Sequence, residues 1–258
     1  MGTGQAIALP RRGFEHGEPQ VSRNNDWSYR DEIGTIAQAV KQARSASRPV
    51  IVLGHSLGAQ LAAGYELDHH GADGLITVGG CLSHFRHYPK FGLPVATMAS
   101  LVPVVTGGFG YLPKPAFGAP GARTLMREWA RMVLTGHPPY PTRGTIDTPS
   151  LVIALEGDTL APRGGVEAFA DQLFDARHLT RWDYSTTIVP AGASDDHIKW
   201  ARNPGPVVDR IVVWWHQVHR NATSQNAIGH RHRSSTALDA ARTPCRSTST
   251  PAATPATT

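Results

Sequence analysis

Cysteine is scarce in this chain of 258 residues, which has only two, at positions 81 and 245. So few cysteines make no disulfide framework, and they fit a reducing compartment. The beginning, MGTGQAIALPRRG, also lacks the long apolar stretch of a secretory signal peptide. We therefore expect a cytoplasmic protein.

The body of the chain has almost no net charge. The formal charge is +5, but five arginines and one aspartate lie from Arg220 onward, which leaves 20 basic and 19 acidic residues before that point. A body so close to neutral argues against a nucleic-acid partner. Residues 220–258 are rich in Ser, Thr, Ala and Pro and poor in large apolar side chains, so they are predicted to form a disordered basic tail.

Long apolar runs are also rare. The window LPVATMASLVPVVTGGFGYL, residues 93–112, has the length of a membrane span, but two prolines and three glycines interrupt it. We expect a buried or pocket-lining segment and no stable membrane insertion. The 13 histidines have no metal-binding spacing, because close pairs such as His84 and His87 join no cysteine or carboxylate set with zinc spacing. No metal site is predicted.

Strand and helix patterns alternate along the chain. The predicted strands are residues 5–9, 50–53, 75–80, 150–158 and 180–189, and the predicted helices are residues 27–43, 58–67, 123–134, 165–173 and 207–218. Asn25 and Asp26 are the expected cap of the first helix. This alternation predicts an α/β fold with a mostly parallel sheet and flanking helices.

The alternation stops between Cys81 and Thr148, where Pro, Gly and scattered aromatic residues replace it. A segment of this length is too long for a plain loop, so it is predicted to be an inserted, mainly helical cap. The expected organisation is a core of residues 1–80 and 146–219, a cap of residues 81–145 and the tail of residues 220–258.

The pentapeptide Gly54-His55-Ser56-Leu57-Gly58 follows the β-branched run VIVL and precedes a helical pattern. A G-x-S-x-G sequence between a buried strand and a helix is typical of a nucleophilic serine on a sharp turn. Both glycines are expected to be needed because side chains there would collide with the strand and helix. The Leu57 N–H, at the start of the helix, is the predicted oxyanion donor.

A serine nucleophile needs a histidine base, and the base needs a carboxylate to orient it. With this kind of turn the acid and then the base follow the serine along the chain. Asp158 ends the third buried strand and is the predicted acid, with Glu156 as its rival. His197 follows the last strand through a loop and is the predicted base, whereas Asp195 and Asp196 are read as loop or cap residues.

These motifs resemble the α/β-hydrolases, in particular bacterial predicted hydrolases near the serine aminopeptidases and monoacylglycerol lipases. The resemblance covers about residues 5–219 and rests on RRGF, VLGHSLGAQ, LITVGG, FGYLP, REWARM, EGDTLAP and DHIKW. It implies that Ser56, Asp158 and His197 are nucleophile, acid and base, and that an ester or similar acyl bond is hydrolysed without a cofactor. The implied partner is a small, apolar acyl substrate.

Family members carry further strands before the Arg-Gly turn, so the chain looks truncated at its N-terminus and lacks the loop that gives a second oxyanion N–H. The alternative is therefore an impaired remnant of the fold that binds a ligand or partner. Apolar side chains of the cap are expected to line an acyl pocket, with packing inside the cap as the alternative; they are Leu93, Val95, Met98, Leu101, Phe109 and Tyr111.

Overall fold

The computed structural model describes residues 5–13, 17–44, 48–114 and 119–220. The chain divides into two compact units, Met1–Ile211 and Val212–Thr258. In the first unit the last helical residues are 205–211, and in the second unit residues 212–220 are helical. The predicted tail of residues 220–258 lies outside the described residues except for Arg220, and the division into core, cap and tail stays a prediction.

Four strands form one parallel sheet, and they are β1 (Ile51–His55), β2 (Gly74–Val78), β5 (Ser150–Leu155) and β6 (Leu179–Tyr184). Their order across the sheet is β1-β2-β5-β6. Every residue of β2 is buried, as expected for an inner strand of a sheet covered on both faces. Four of the five predicted strands therefore exist, and the fold is the expected α/β class.

Helices separate these strands along the chain. They are α1 (Tyr29–Ala43) before β1, α2 (Leu57–His69) between β1 and β2, and α5 (Arg163–Leu173) between β5 and β6. The cap of α1 is Ser28, not the expected Asn25 or Asp26: its side chain accepts from the Asp31 N–H, while the Asp31 carboxylate accepts from the Ser28 N–H. This reciprocal pair is a capping box.

The segment between β2 and β5 contains α3 (Leu93–Phe109), the antiparallel pair β3 (Tyr111–Leu112) and β4 (Gly121–Ala122), and α4 (Arg123–Thr135). Helix α3 packs mainly against α4. By length and composition Lys90–Phe109 could cross a membrane, and only 22% of its apolar 18-residue window is buried. Of the two expectations for this segment, full burial is therefore wrong, because only one side of α3 is covered, and a pocket-lining segment stays a prediction.

One expected strand is absent. Residues 5–10 form an exposed, irregular segment, although Gln5–Leu9 was expected to be a strand. A strand needs a neighbour to accept and donate its backbone hydrogen bonds, and among the described residues β1 pairs only with β2. Strand β1, which leads to Ser56, therefore lies at the edge of the described sheet, with Leu53 half exposed.

Two apolar clusters hold the described chain together. The first joins α1, α2, α3 and α4, with Tyr29, Leu61 and Val102 among its buried members. The second packs α5 and small residues of α2 against β2 and β5. Helix α2 contributes to both clusters, so the turn before it is fixed from two sides.

Candidate active site

The candidate site lies where the parallel strands end. Ser56 follows β1 directly, Asp158 lies three residues after β5, and His197 lies in the long connection after β6. The carboxyl ends of parallel strands meet at one edge of a sheet, where loops of different strands can converge. The structure brings these three predicted residues together there.

Ser56 stands on a strained turn between β1 and α2. Its φ of 53° and ψ of −119° are values that residues with a side chain rarely adopt. Gly54 permits the turn, because a Cβ at this position would lie 2.3 Å from the Gly58 carbonyl oxygen. Gly58 differs from the prediction: a Cβ there would meet no atom within 4 Å. Only the first glycine of the motif is required by packing.

A chain of hydrogen bonds links the three side chains. The Ser56 Oγ lies 2.8 Å from His197 Nε2, and His197 Nδ1 lies 2.5 Å from Asp158 Oδ2. A carboxylate can only accept, so Nδ1 carries a proton and Nε2 is free to accept from the serine hydroxyl. The Asp158 side chain is wholly buried and that of His197 is 9% exposed, which shields the pair from water.

Asp158 is oriented by its own loop. Its second oxygen, Oδ1, accepts from the backbone N–H groups of Leu160 and Ala161 at 2.8 and 2.7 Å. The rival Glu156 is exposed and its carboxylate accepts from the Thr186 N–H instead. Of the two candidates, Asp158 is the acid that reaches the histidine.

The predicted oxyanion donor also has a suitable place. Leu57 is the first residue of α2, so its N–H has no acceptor within the helix. The N-terminus of a helix also favours negative charge. A carbonyl oxygen that becomes negative beside Ser56 could therefore be stabilised by this N–H.

Comparisons with known proteins identify the fold. No family model and no curated protein matches the chain, whereas solved structures do. Rv0554 of Mycobacterium tuberculosis matches with a TM-score of 0.53 and 14% identity, covering 80% of this chain and 77% of the other. BpoC of the same organism matches with a TM-score of 0.51 and 14% identity, and the match covers 76% of each chain. The Paleococcus ferrophilus monoacylglycerol lipase matches with a TM-score of 0.50 and 15% identity, covering 74% of this chain and 77% of the lipase.

The chain has the α/β-hydrolase fold. Identities this low show the fold alone. The roles of Ser56, Asp158 and His197 as nucleophile, acid and base stay predictions, which the hydrogen bonds between their side chains support.

Two residues beside Ser56, Asp158 and His197 were not predicted from the sequence to be part of the site. Gly79, with φ of +56°, follows β2, and a Cβ there would lie 3.0 Å from Asp158 Oδ2 and 3.3 Å from His197 Nδ1. His55 precedes the nucleophile, and its Nε2 lies 2.7 Å from the His197 carbonyl oxygen. Both contacts join residues far apart in sequence, so the only available signal was their place at strand ends.

A buried polar pair supports the segment that leaves β2. Gln60 of α2 accepts from the Tyr29 hydroxyl at 2.8 Å and donates to the Cys81 carbonyl oxygen, also at 2.8 Å. The glutamine therefore fixes the chain just beyond Gly79.

The Cys81 thiol is buried just beyond Gly79. Burial raises its pKa to about 11, so the thiol stays protonated and unreactive at neutral pH.

The loop that carries His197 is tied to the acid side of the site. Asp195 accepts from the Gly157 N–H at 3.1 Å and from the Thr186 hydroxyl at 2.9 Å. Asp196 accepts from the backbone N–H groups of Ile198 and Lys199, where the short 3-10 helix Lys199–Arg202 begins. Both aspartates therefore have the loop and capping contacts expected from the sequence.

The predicted pocket residues lie on α3 and β3. Leu93, Leu101 and Phe109 are more than half exposed, and Met98 and Tyr111 are partly buried. Their part in an acyl pocket stays a prediction. Within the described ranges, no group of three or more His, Cys, Asp or Glu side chains could hold a metal ion.

Proposed function

We propose that this protein is a serine hydrolase that cleaves an ester or related acyl bond. The observation that carries the proposal is the continuous chain from Ser56 Oγ through the His197 ring to the buried Asp158 carboxylate. A hydroxyl becomes a nucleophile when a base takes its proton as it attacks. The α/β-hydrolase fold, which monoacylglycerol lipases share, supports the same reaction class.

In the proposed reaction Ser56 Oγ attacks the acyl carbonyl carbon while its proton moves to His197 Nε2. The carbonyl oxygen becomes negative and accepts from the Leu57 N–H. When the carbonyl re-forms, the bond to the leaving group breaks and His197 protonates that group. Water then attacks the acyl-enzyme with the same proton transfers, which frees the acid and restores Ser56.

We propose a small apolar acyl compound as substrate. Two exposed apolar residues are close along the chain to site residues: Leu160, which is 57% exposed, follows Asp158 by two positions, and Ile198, which is 63% exposed, directly follows His197. Apolar surface near a site favours apolar ligands over charged ones. The predicted pocket on α3 and β3 belongs to this proposal.

Labelling with a fluorophosphonate probe tests the reaction class. Wild-type protein should form one covalent adduct, mapped to Ser56 by peptide mass spectrometry. Ser56→Ala should form none, while Ser100→Ala, which removes an exposed serine on α3, should label like wild type. Circular dichroism checks that all three are folded.

Absence of a Ser56 adduct on folded protein would contradict the hydrolase proposal and favour the alternative, a hydrolase-fold protein that acts by binding. If labelling succeeds, p-nitrophenyl esters of increasing acyl length test the substrate class. We expect kcat/KM to rise from acetyl to medium-chain esters, because longer chains bury more apolar surface.

A further inference from the structure

The residue just before the nucleophile contacts the backbone of the base. His55 ends β1, its side chain is partly buried, and its Nε2 lies 2.7 Å from the carbonyl oxygen of His197. The two residues are 142 positions apart in the sequence. One hydrogen bond therefore ties the strand that carries the nucleophile to the loop that carries the base.

Aromatic contacts hold the His55 ring in this orientation. Its centroid lies 4.8 Å from that of the His197 ring and 5.6 Å from that of Trp200, which it meets edge to face. Trp200 belongs to the short 3-10 helix after His197 and is buried. The ring is thus packed between the base and the helix that follows it.

The His197 loop is fixed from two directions. Asp195 attaches it to Gly157, just after β5, and His55 attaches it to the end of β1. The residues between β6 and the 3-10 helix form no helix or strand, so such contacts must hold the imidazole in place. A base that accepts a proton over one hydrogen bond tolerates little displacement.

The contact also fixes the protonation of His55. A carbonyl oxygen only accepts, so Nε2 must carry a proton. Burial lowers the pKa of His55 below its ordinary value of 6.5, and the nearby His197 ring acts in the same direction when it is protonated. His55 is therefore a neutral ring with its proton on Nε2 at neutral pH.

We propose that His55 is a positioning residue for the base, holding His197 within reach of Ser56 through the bond from its Nε2–H to the His197 carbonyl oxygen. The inference rests on the proposed function, since it assigns His55 a part in the same reaction. The hydrogen bond of His55 is to the backbone of His197, whereas Ser56 Oγ and Asp158 Oδ2 bond to the His197 ring nitrogens.

Two substitutions separate the hydrogen bond from the packing. His55→Phe keeps an aromatic ring against Trp200 but loses the donor, whereas His55→Gln loses the ring but carries an amide donor near the place of Nε2. We expect the second-order rate of Ser56 labelling to fall about tenfold in His55→Phe and to stay within about threefold of wild type in His55→Gln. Melting temperatures measured in parallel show that the variants are folded.

Equal rates for His55→Phe and wild type would overturn the inference, and so would equal losses in both variants, because the donor would then not matter. Long-range ¹⁵N–¹H correlation of the histidine rings gives a test that needs no activity. A neutral His55 with its proton on Nε2 supports the contact, and a proton on Nδ1 overturns it. If wild-type protein is not labelled at all, the proposed function fails. The tautomer of His55 still shows in that case whether its Nε2–H donates to the His197 carbonyl oxygen.

Discussion

At the scale of single residues, the two glycines that flank Ser56 have different surroundings. Gly54 lies so close to the first turn of α2 that a Cβ would come within 2.6 Å of three backbone atoms. Gly58 lies inside α2 with open space where its side chain would be. The motif has one glycine two residues before the serine and another two residues after it, but packing requires a glycine only at position 54.

Replacement of each glycine by alanine should therefore have opposite effects. Gly58→Ala should raise the free energy of unfolding by about 0.5–1 kcal/mol, because alanine favours a helix over glycine. Gly54→Ala should lower it by about 1–3 kcal/mol through overpacking, or prevent folding. Urea unfolding followed by circular dichroism measures both, and equal stabilities would contradict the packing around the turn.

The sequence predicts a site residue where its position after a strand and its order along the chain indicate a role. Ser56, Asp158 and His197 each follow a strand, and their order along the chain matches the nucleophile, acid and base of this kind of turn. The roles of Gly79 and His55 depend on contacts across the sheet edge. No local pattern contains that information, because the partner lies more than 70 residues away in each case.

At the scale of elements, the loop between β6 and the last 3-10 helix matters most to the site. It carries His197 but has no regular backbone pairing of its own. Two hydrogen bonds tie it to the loop after β5: Glu156 accepts from the Thr186 N–H, and Asp195 accepts from the Gly157 N–H. Loss of one such contact should loosen the loop without unfolding the sheet.

Asp195→Ala should therefore slow the labelling of Ser56 by about threefold to tenfold, since the base would be held less firmly. The melting temperature should change little, because the Asp195 contacts are exposed. Asp171→Ala, which removes an exposed aspartate of α5, is the matched control and should label like wild type. Unchanged labelling of Asp195→Ala would show that the loop is held by other contacts.

The positions of strands and helices along the chain were easier to predict than which neighbours cover or pair with them. The buried β-branched runs identified β1, β2 and β5, since a parallel strand is apolar on both faces. Hydropathy could not decide whether α3 is covered, because an apolar helix looks the same in sequence whether it is buried or exposed. The expected strand at residues 5–9 failed for a related reason: alternation describes a strand but not the neighbour that it needs.

At the scale of the whole described molecule, Asp26 joins the segment before α1 to the start of α4. Its carboxylate accepts from the Thr124 N–H and hydroxyl at 2.8 and 2.6 Å and pairs with Arg123 at 3.1 Å. Burial alone would raise the pKa of Asp26, but the Thr124 hydrogen bonds and the Arg123 charge together bring it below the ordinary value of 3.8. The folded state therefore prefers the ionised form.

A group with a lowered folded pKa contributes stability above its ordinary pKa, and this contribution is lost as pH falls through the folded value. Asp26→Asn should thus be less stable than wild type at pH 7, and the difference should shrink as the pH falls below 3.8. Urea unfolding at several pH values measures this. Asp68→Asn, at a side chain that is 60% exposed, is the control, and a difference independent of pH would contradict the assignment.

The strained turn at Ser56 has a practical consequence. Because backbone contacts around Gly54 hold the turn, its shape does not depend on the serine hydroxyl. A Ser56→Ala protein should therefore keep the mouth of the site while being unable to break a bond. Such a protein is suited to retain an intact compound from a mixture of cellular lipids and esters, and mass spectrometry of the released compound would give its chemical identity directly.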